Sequence, residues 1–347
     1  MTTTAGADAG TAAVYPRYLA CLDEADEYAA IEVARGLLTR GVSAERVLLD
    51  LVAPAQAEVG ERWARNEWSV AQEHAATHIS ERVVAAVAAH AVPRPSRGRV
   101  VVACMDGEWH ALPPRLVAEV LRLRGWQVTF LGASVPAAHL VSYLHRHDAD
   151  AVALACALPM RLPHAHRMIE VCRRSEVPVV VGGRGFGGDG RWARRLGVAW
   201  VPDAPSAADL IADERALRRV PAADLSHLAD DEYAGLVTRR AELIDGALAD
   251  LRERVPATRS YTSAQLDSTV SDLGHLVDFL AAALYVDDGS LFTEFVEWLV
   301  TILTSRGVPP AALGLSLAYY GRVLRDFPRA ARYLDRGRCL LGRPGAA

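Results

Sequence analysis

The stretch VVACMDGEWHALPP (residues 101–114) places a carboxylate and an imidazole one residue apart, Glu108 and His110, directly after a run of β-branched and small residues. Three chemistries suit an imidazole in such a loop: a polar turn, a general base, or a metal ligand. No nucleophile or paired acid shares the loop, so a base has nothing to act on there. Glu108 favours ligation, because a metal-bound imidazole commonly gives its other N–H to a carboxylate. One such pair cannot hold a free zinc ion, which needs three or four protein ligands. A cofactor that already supplies most of its metal's coordination needs only one. A second constellation lies upstream, where Trp63 is followed after nine residues by Glu73 and His74. Taken alone, Trp63 as a core aromatic with Glu73 and His74 on a solvated helix face is as good a reading as a binding site. Downstream, ACALP carries Cys156 and Leu158, and VVVGGRGFGG carries Gly182 and Gly183.

The elements that position these residues follow from periodicity. Residues 1–14 are polar and small and predict a disordered tail. Helices are expected near 15–23, through ADEYAAIEVARGLLTRG to a C′ glycine at Gly41, from an N-cap at Ser43, and from Ser69. After Ser43, Arg46 stands where a capping box would want Glu, and Val47, Leu48, Leu51 and Val52 recur at helical spacing. A four-helix bundle over 15–93 is the natural reading. The Pro/Ser/Gly segment at 93–98 is a linker. From 98 to 212, five short Val- and Ala-rich runs alternate with helical stretches, which predicts a flavodoxin-like (Rossmann-type) parallel α/β domain covered on both faces. A charged helical connector is expected over 213–240. Residues 241–342 read as a third, all-α domain of globin-like size.

Composition bounds the function. The chain has 347 residues, half of them hydrophobic, and a formal net charge of −4. That balance suggests neither nucleic acid nor an anionic membrane surface as partner. Cys21, Cys104, Cys156, Cys172 and Cys339 are scattered without a CxxC pair, as expected for reduced thiols in the cytoplasm. The N-terminus has no signal-peptide pattern, and no apolar run is long and charge-free enough to span a bilayer.

The residues on the sheet loops resemble the B12-binding domain family, whose fingerprint runs D-x-H-x-x-G, S-x-L and G-G. Glu108-x-His110 stands in the first place with Pro113 where the family has Gly, Cys156–Leu158 in the second, and Gly182–Gly183 in the third. The resemblance implies that His110 replaces the cofactor's own dimethylbenzimidazole below the cobalt. It also implies that the displaced nucleotide tail enters a slot in the sheet domain, with Gly132, Cys156, Leu158, Gly182 and Gly183 among the cobalamin-binding residues. Trp63 with Glu73–His74, just ahead of such a domain, resembles the light-sensing cobalamin proteins, including photoreceptor repressors of the MerR class. In that family these three residues accommodate the 5′-deoxyadenosyl group of adenosylcobalamin, whose Co–C bond is photolabile. Two departures matter. Ala64 follows Trp63 where the repressors have a His, and only a short polar tail precedes the bundle, so direct operator binding is not expected.

The last hundred residues have a bland reading as a dimerisation or docking bundle. Following a photosensory B12 domain, they also resemble the photocobilins, which add a bilin. That resemblance implies noncovalent biliverdin, since no attaching cysteine is evident. His275, Asp278 and Asp287 or Asp288 would face the pyrrole nitrogens, Tyr285 and Tyr319 would stack, and Arg322 or Arg325 would bind propionates. The expected protein is a photoreceptor without turnover. It would act through an unidentified signalling partner and as a homodimer or light-dependent oligomer, without contacting nucleic acid or membrane. A corrinoid methyl carrier of a methyltransferase system is the alternative. It shares the bundle and the sheet domain but gives no reason for Trp63, Glu73 and His74.

Overall fold

The computed structural model describes residues 4–91 and 94–341. Residues 1–3 of the expected tail, 92–93 of the expected bundle end and linker, and 342 at the expected C-terminal boundary lie outside that range. The chain forms two compact units. The first comprises residues up to 157, 164–194 and 198–221; the second comprises 158–163, 195–197 and 222 onward.

The first unit opens with helices α1 (Thr4–Asp23), α2 (Glu27–Thr39), α3 (Ala44–Val47), α4 (Ala53–Ala64) and α5 (Val70–His90). Residues 4–14 are helical, where a disordered tail was expected. Pro16 lies inside this helix. Here α1 continues upstream through it, and Thr11 is 3% exposed one turn earlier. Gly41 is the C′ glycine at φ +86°, donating to Leu38, while Val42 donates to Leu37. The Ser43 hydroxyl caps the following helix through the Arg46 N–H at 3.3 Å. Between α3 and α4 runs a π-helical turn, Leu48–Val52, immediately before Pro54. A proline breaks the regular i→i−4 ladder, and a wider turn absorbs that break without ending the helix. At the start of α5, Ser69 forms a capping box with Gln72 and not with Glu73. Glu73 is thereby left available for other contacts.

Five strands follow: β1 (Arg99–Cys104), β2 (Gln127–Gly132), β3 (Ala151–Ala155), β4 (Val179–Gly182) and β5 (Ala199–Val201). They pair in parallel in the order β2-β1-β3-β4-β5, the flavodoxin-like arrangement. The Val-rich runs are required by burial on both faces, since β1 is buried at every position after Arg99. The connecting helices are α6 (Leu112–Leu123), α7 (Ala137–Leu144), α8 (Leu162–Arg174), α9 (Arg191–Arg195) and α10 (Ala204–Ala212). Leu112 and Leu116 of α6 belong to the hydrophobic core of the helical bundle, while Ala118 and Leu121 belong to the core of the sheet. Helix α6 is thus shared by both layers. Arg124 reinforces the joint, reaching Glu45 at 2.8 Å and Asp209 at 2.8 Å.

Residues 213–240, expected as one connector, are divided between the units. Helix α11 (Glu214–Arg218) places Leu217 in the core of the sheet domain. Helix α12 (Glu232–Thr238) belongs to the second unit, with α13 (Arg240–Arg254), α14 (Ser263–Tyr285), α15 (Gly289–Ser305), α16 (Ala311–Val323) and α17 (Pro328–Leu341). The second unit is a helical bundle around α14. Phe279 stacks on Phe295 at 3.7 Å between ring centroids, and the buried Tyr320 hydroxyl donates to the Leu273 carbonyl at 3.2 Å. Arg329, 12% exposed, joins α17 to Asp230 at 2.6 Å and to Asp287 at 3.2 Å. The buried Glu232 carboxylate accepts the N–H groups of Arg329 and Ala330 in the first turn of α17. Anions are favoured at such a terminus, where backbone donors lack partners.

Candidate functional site

In open parallel sheets, ligands bind beyond the carboxyl ends of the strands, where the strand order reverses. In this sheet that point lies between β1 and β3. Glu108 follows β1, is 1% exposed, and accepts the Ala157 N–H from the loop after β3 at 2.6 Å. Its other oxygen accepts the His110 N–H at 3.0 Å and faces His110 Nδ1 at 2.5 Å. An ionised carboxylate only accepts, so Nδ1 carries the ring proton and Nε2 is the nitrogen left for a ligand. The imidazole itself is more than half exposed.

Burial pushes the Glu108 carboxyl up, but its hydrogen bonds from the His110 ring and from the N–H groups of His110 and Ala157 outweigh that. They hold it down to about 2. The hydrogen bond to Glu108 raises the His110 pKa above the ordinary imidazole value against desolvation, with smaller contributions from the charges of Glu108 and Glu73. Glu73, at the start of the bundle's last helix, therefore lies within electrostatic reach of His110. Glu73 also pairs with His74 at 2.5 Å. Trp63 is half-buried in the last turn of α4, and His74 is exposed. The first unit contains both the Glu108–His110 pair and the helices that carry Trp63, Glu73 and His74.

The glycines divide. Gly183, at φ +102°, lies so close to the Cys156 carbonyl that a Cβ would meet it at 2.2 Å. Gly182 has room for a Cβ, with only the Val201 carbonyl at 3.5 Å. Gly185, which the motif does not include, also needs to lack a Cβ, because one would stand 2.6 Å from Cys156 Sγ. The close approach that demands glycine is therefore to Cys156 itself, a fully buried residue. Gly132 adopts φ +81° with open space around its Cβ position. It lies beside a register shift between β1 and β2, the kind of bulge that re-aims a sheet edge. Leu158 is 36% exposed at the start of a short 3-10 turn. The spacing alone did not reveal the Ala157 N–H, which has no side-chain signature.

Most of the residues expected around a bilin have partners within the second unit. Asp278 forms a two-pronged pair with Arg240 at 2.6 and 2.8 Å. Asp287 accepts from Arg329 and from the Tyr333 hydroxyl, and Asp288 caps α15 through the Ser290 N–H. Arg322 pairs with Asp250 at 2.7 Å and lies against the Tyr319 ring. Tyr285 packs edge-on against Tyr233, and His275 is half-buried on α14. Arg325 is exposed beside Asp326. A groove of about 630 Å³ in this unit is lined instead by Thr293, Glu297, Arg332 and Cys339, among others. The polar spacing had a structural use that sequence could not separate from a ligand site.

A single imidazole held by a buried carboxylate fits a cofactor that brings its own metal coordination. Among the described residues, no cluster of three or more His, Cys, Asp or Glu could hold a free ion. Cobalamin is a cofactor of that kind. Residues 98–210 match the B12 binding domain family, and residues 14–88 match a second B12 binding domain family. These matches support cobalamin binding. The chain is similar to the HTH-type transcriptional repressor CarA of Myxococcus xanthus, 32% identical over 118 residues. That stretch is 33% of this chain and 41% of the repressor, so the chain spans less than half of that relative. It is also similar to trimethylamine corrinoid protein 2 of Methanosarcina mazei, 24% identical over 207 residues, covering 57% of this chain and 93% of that protein. Among solved structures, the monomethylamine corrinoid protein of Methanosarcina barkeri aligns with a TM-score of 0.52 at 16% identity. It covers 58% of this chain and 99% of that one, a likeness of fold. No helix among the described residues is long and apolar enough to cross a membrane.

Proposed function

We propose that this protein senses light through adenosylcobalamin and carries out no turnover of its own. The observation that carries the reading is the buried Glu108 carboxylate that fixes His110 with Nε2 free to ligate, in the same unit as the bundle helices that bear the second constellation. Glu108 and His110 come from the sheet domain, and Trp63, Glu73 and His74 from the bundle, with Glu73 within electrostatic reach of His110. His110 would hold the cobalt from below through Nε2, while Glu108 keeps the proton on Nδ1 and fixes the ring. Trp63, Glu73 and His74 would cover the opposite side and accommodate the adenosyl group. Bound adenosylcobalamin supplies a cobalt–carbon bond that visible light breaks. Similarity to a transcriptional repressor supports a regulatory output. We place that output in a partner protein or in a change of oligomeric state.

The corrinoid methyl carrier is the second reading, favoured by the similarity that extends over 93% of a trimethylamine corrinoid protein. Absorption spectra of protein loaded with adenosylcobalamin, in the dark and after green light, separate the two. A photoreceptor binds the adenosyl form in preference to methylcobalamin and changes its spectrum on illumination. Equal affinity for both forms, with no light-induced change beyond that of the unbound cofactor, supports the carrier. Noncovalent biliverdin in residues 241–342 is a proposal resting on the resemblance alone. Ion pairs already engage Asp278, Asp287 and Arg322, so a bilin using them would have to displace Arg240, Arg329 and Asp250. Stoichiometric binding of added biliverdin, with a shift of its red band, is the test.

A further inference from the structure

Glu73 is not an isolated carboxylate on α5. Its Oε1 accepts the Thr77 hydroxyl at 3.1 Å, and Thr77 Oγ1 in turn accepts Gln56 Nε2 at 2.7 Å. Glu73 and Thr77 are four residues apart and share a face of α5. Gln56 and Trp63 are seven apart on α4, about two turns, and share a face of that helix. The relay therefore links the two helices that carry the residues assigned to the adenosyl group.

Its direction is forced. An ionised carboxylate can only accept, and the Thr77 hydroxyl has one proton, which it gives to Glu73. Thr77 is then left with acceptor capacity alone, so Gln56 must present its amide N–H. The consequence is visible at the other end of the same amide, because Gln56 Oε1 is buried without a hydrogen-bond partner among the described residues. Buried polar groups are rarely left so, and turning the amide to satisfy this one would set two acceptors against each other at Thr77. Packing between the helices gives no reason for that arrangement; holding Glu73 in one orientation does.

We propose that Gln56 and Thr77 are positioning residues for Glu73, fixing its carboxylate so that the protein distinguishes adenosylcobalamin from cobalamins with a small upper ligand. The inference rests on the reading of Trp63, Glu73 and His74 given above. Full-length protein carrying Thr77→Val, Thr77→Ser, Gln56→Leu or Glu73→Gln is titrated in the dark with adenosylcobalamin and with hydroxocobalamin, and the ratio of dissociation constants is read. Thr77→Val should lower the preference for the adenosyl form about tenfold, the size of one hydrogen bond to a charged group. Thr77→Ser keeps the hydroxyl and should restore the preference. Hydroxocobalamin affinity serves as the control for folding, and Gln56→Leu provides a second break in the relay from the other helix. If Glu73→Gln loses the preference while Thr77→Val and Gln56→Leu keep it, the relay is structural and the proposal falls while the adenosyl reading stands. If Glu73→Gln and Trp63→Ala both keep the preference, the adenosyl reading fails and takes the proposal with it.

Discussion

The two units each gather carboxylates around one basic side chain, and they do so to opposite ends. In the second unit Arg329 is almost buried, and its guanidinium is shared among Asp230, Asp287 and the carbonyls of Leu284 and His227. Its donors are used internally. In the first unit Glu108 is the buried member, and the basic residue, His110, is the exposed one. Among the described residues, only Nδ1 of that ring is engaged. Buried charges must be paired wherever they occur. What separates a framework from a binding site is whether the pairing leaves a donor or acceptor pointing outward.

Breaking the Arg329 network tests the framework half of this contrast and has the largest expected effect. Arg329→Met leaves Asp287 and Asp230 without their common cation, and loss of one partner of a buried ion pair costs about 3 to 5 kcal/mol. Chemical unfolding followed through Trp298, the tryptophan of the second unit, should show that loss while cobalamin binding persists. A change below about 1 kcal/mol would place this network with ordinary surface pairs.

On the site half, Glu108→Ala removes the acceptor that fixes His110, and such changes typically weaken a metal site about 10- to 100-fold. Titration with hydroxocobalamin measures it. An unchanged affinity would remove His110 from the lower face of the cofactor. Acid offers a finer comparison in cofactor-free protein. Glu108 is depressed from the ordinary 4.5 to about 2, so its stabilisation is complete above the unfolded value and fades as pH falls through about 2. Asp230, depressed chiefly by the hydrogen bond from Arg329, also loses its contribution towards low pH. Asp272 runs the other way. Burial raises it, so its contribution is present in acid and is lost as pH rises through the raised value. Glu108→Gln should flatten the acid limb of first-unit stability and leave that of the second unit unchanged. Identical acid limbs in the variant and the parent would mean that the Glu108 hydrogen bonds do not survive in solution.

The smallest effect is expected at the partly exposed Arg240–Asp278 pair. Asp278→Asn should cost no more than about 1 kcal/mol. If it also abolishes a shift in the biliverdin band, the pair opens for a ligand and the contrast drawn above must be narrowed.

Much of the architecture was legible because burial on two faces leaves a plain mark. Runs such as VVVAC and AVALA admit few alternatives to a parallel sheet, and Gly41 and Ser43 announce a helix end and a helix start. The π turn at 48–52 left no such mark, since Leu48, Leu51 and Val52 also suit a regular helix. Nor did the helical stretch before residue 15, whose small and polar residues read as a tail although Thr11 is buried. At the site, Glu108 and His110 were readable because their types and spacing imply each other. The Ala157 N–H and the need for glycine at 185 were not, being properties of backbone proximity. Thr77 could have been found, lying one helical turn after Glu73. Gln56 could not, because its partner lies 21 positions away. In the second unit residue types alone could not tell a ligand site from a scaffold: Asp278, Asp287 and Arg322 suit a tetrapyrrole, and each also has an ion-pair partner within the unit.

The Arg329 clamp also constrains how the protein is made. It ties Asp230 to the first turn of α17 across 99 positions of chain, and Glu232 to the same turn across 97. During synthesis the first unit can complete its sheet and bundle while the ribosome is still far from α17. The second unit cannot close until that helix has emerged, and at about 5 to 20 residues per second the intervening stretch takes on the order of ten seconds to appear. Once α15 has emerged, its Phe292 and Val296, which lie against Gly337 of α17 in the finished fold, have no α17 to cover them. Nascent chains stalled before residue 328 should therefore recruit chaperones, and chains released past 341 should not.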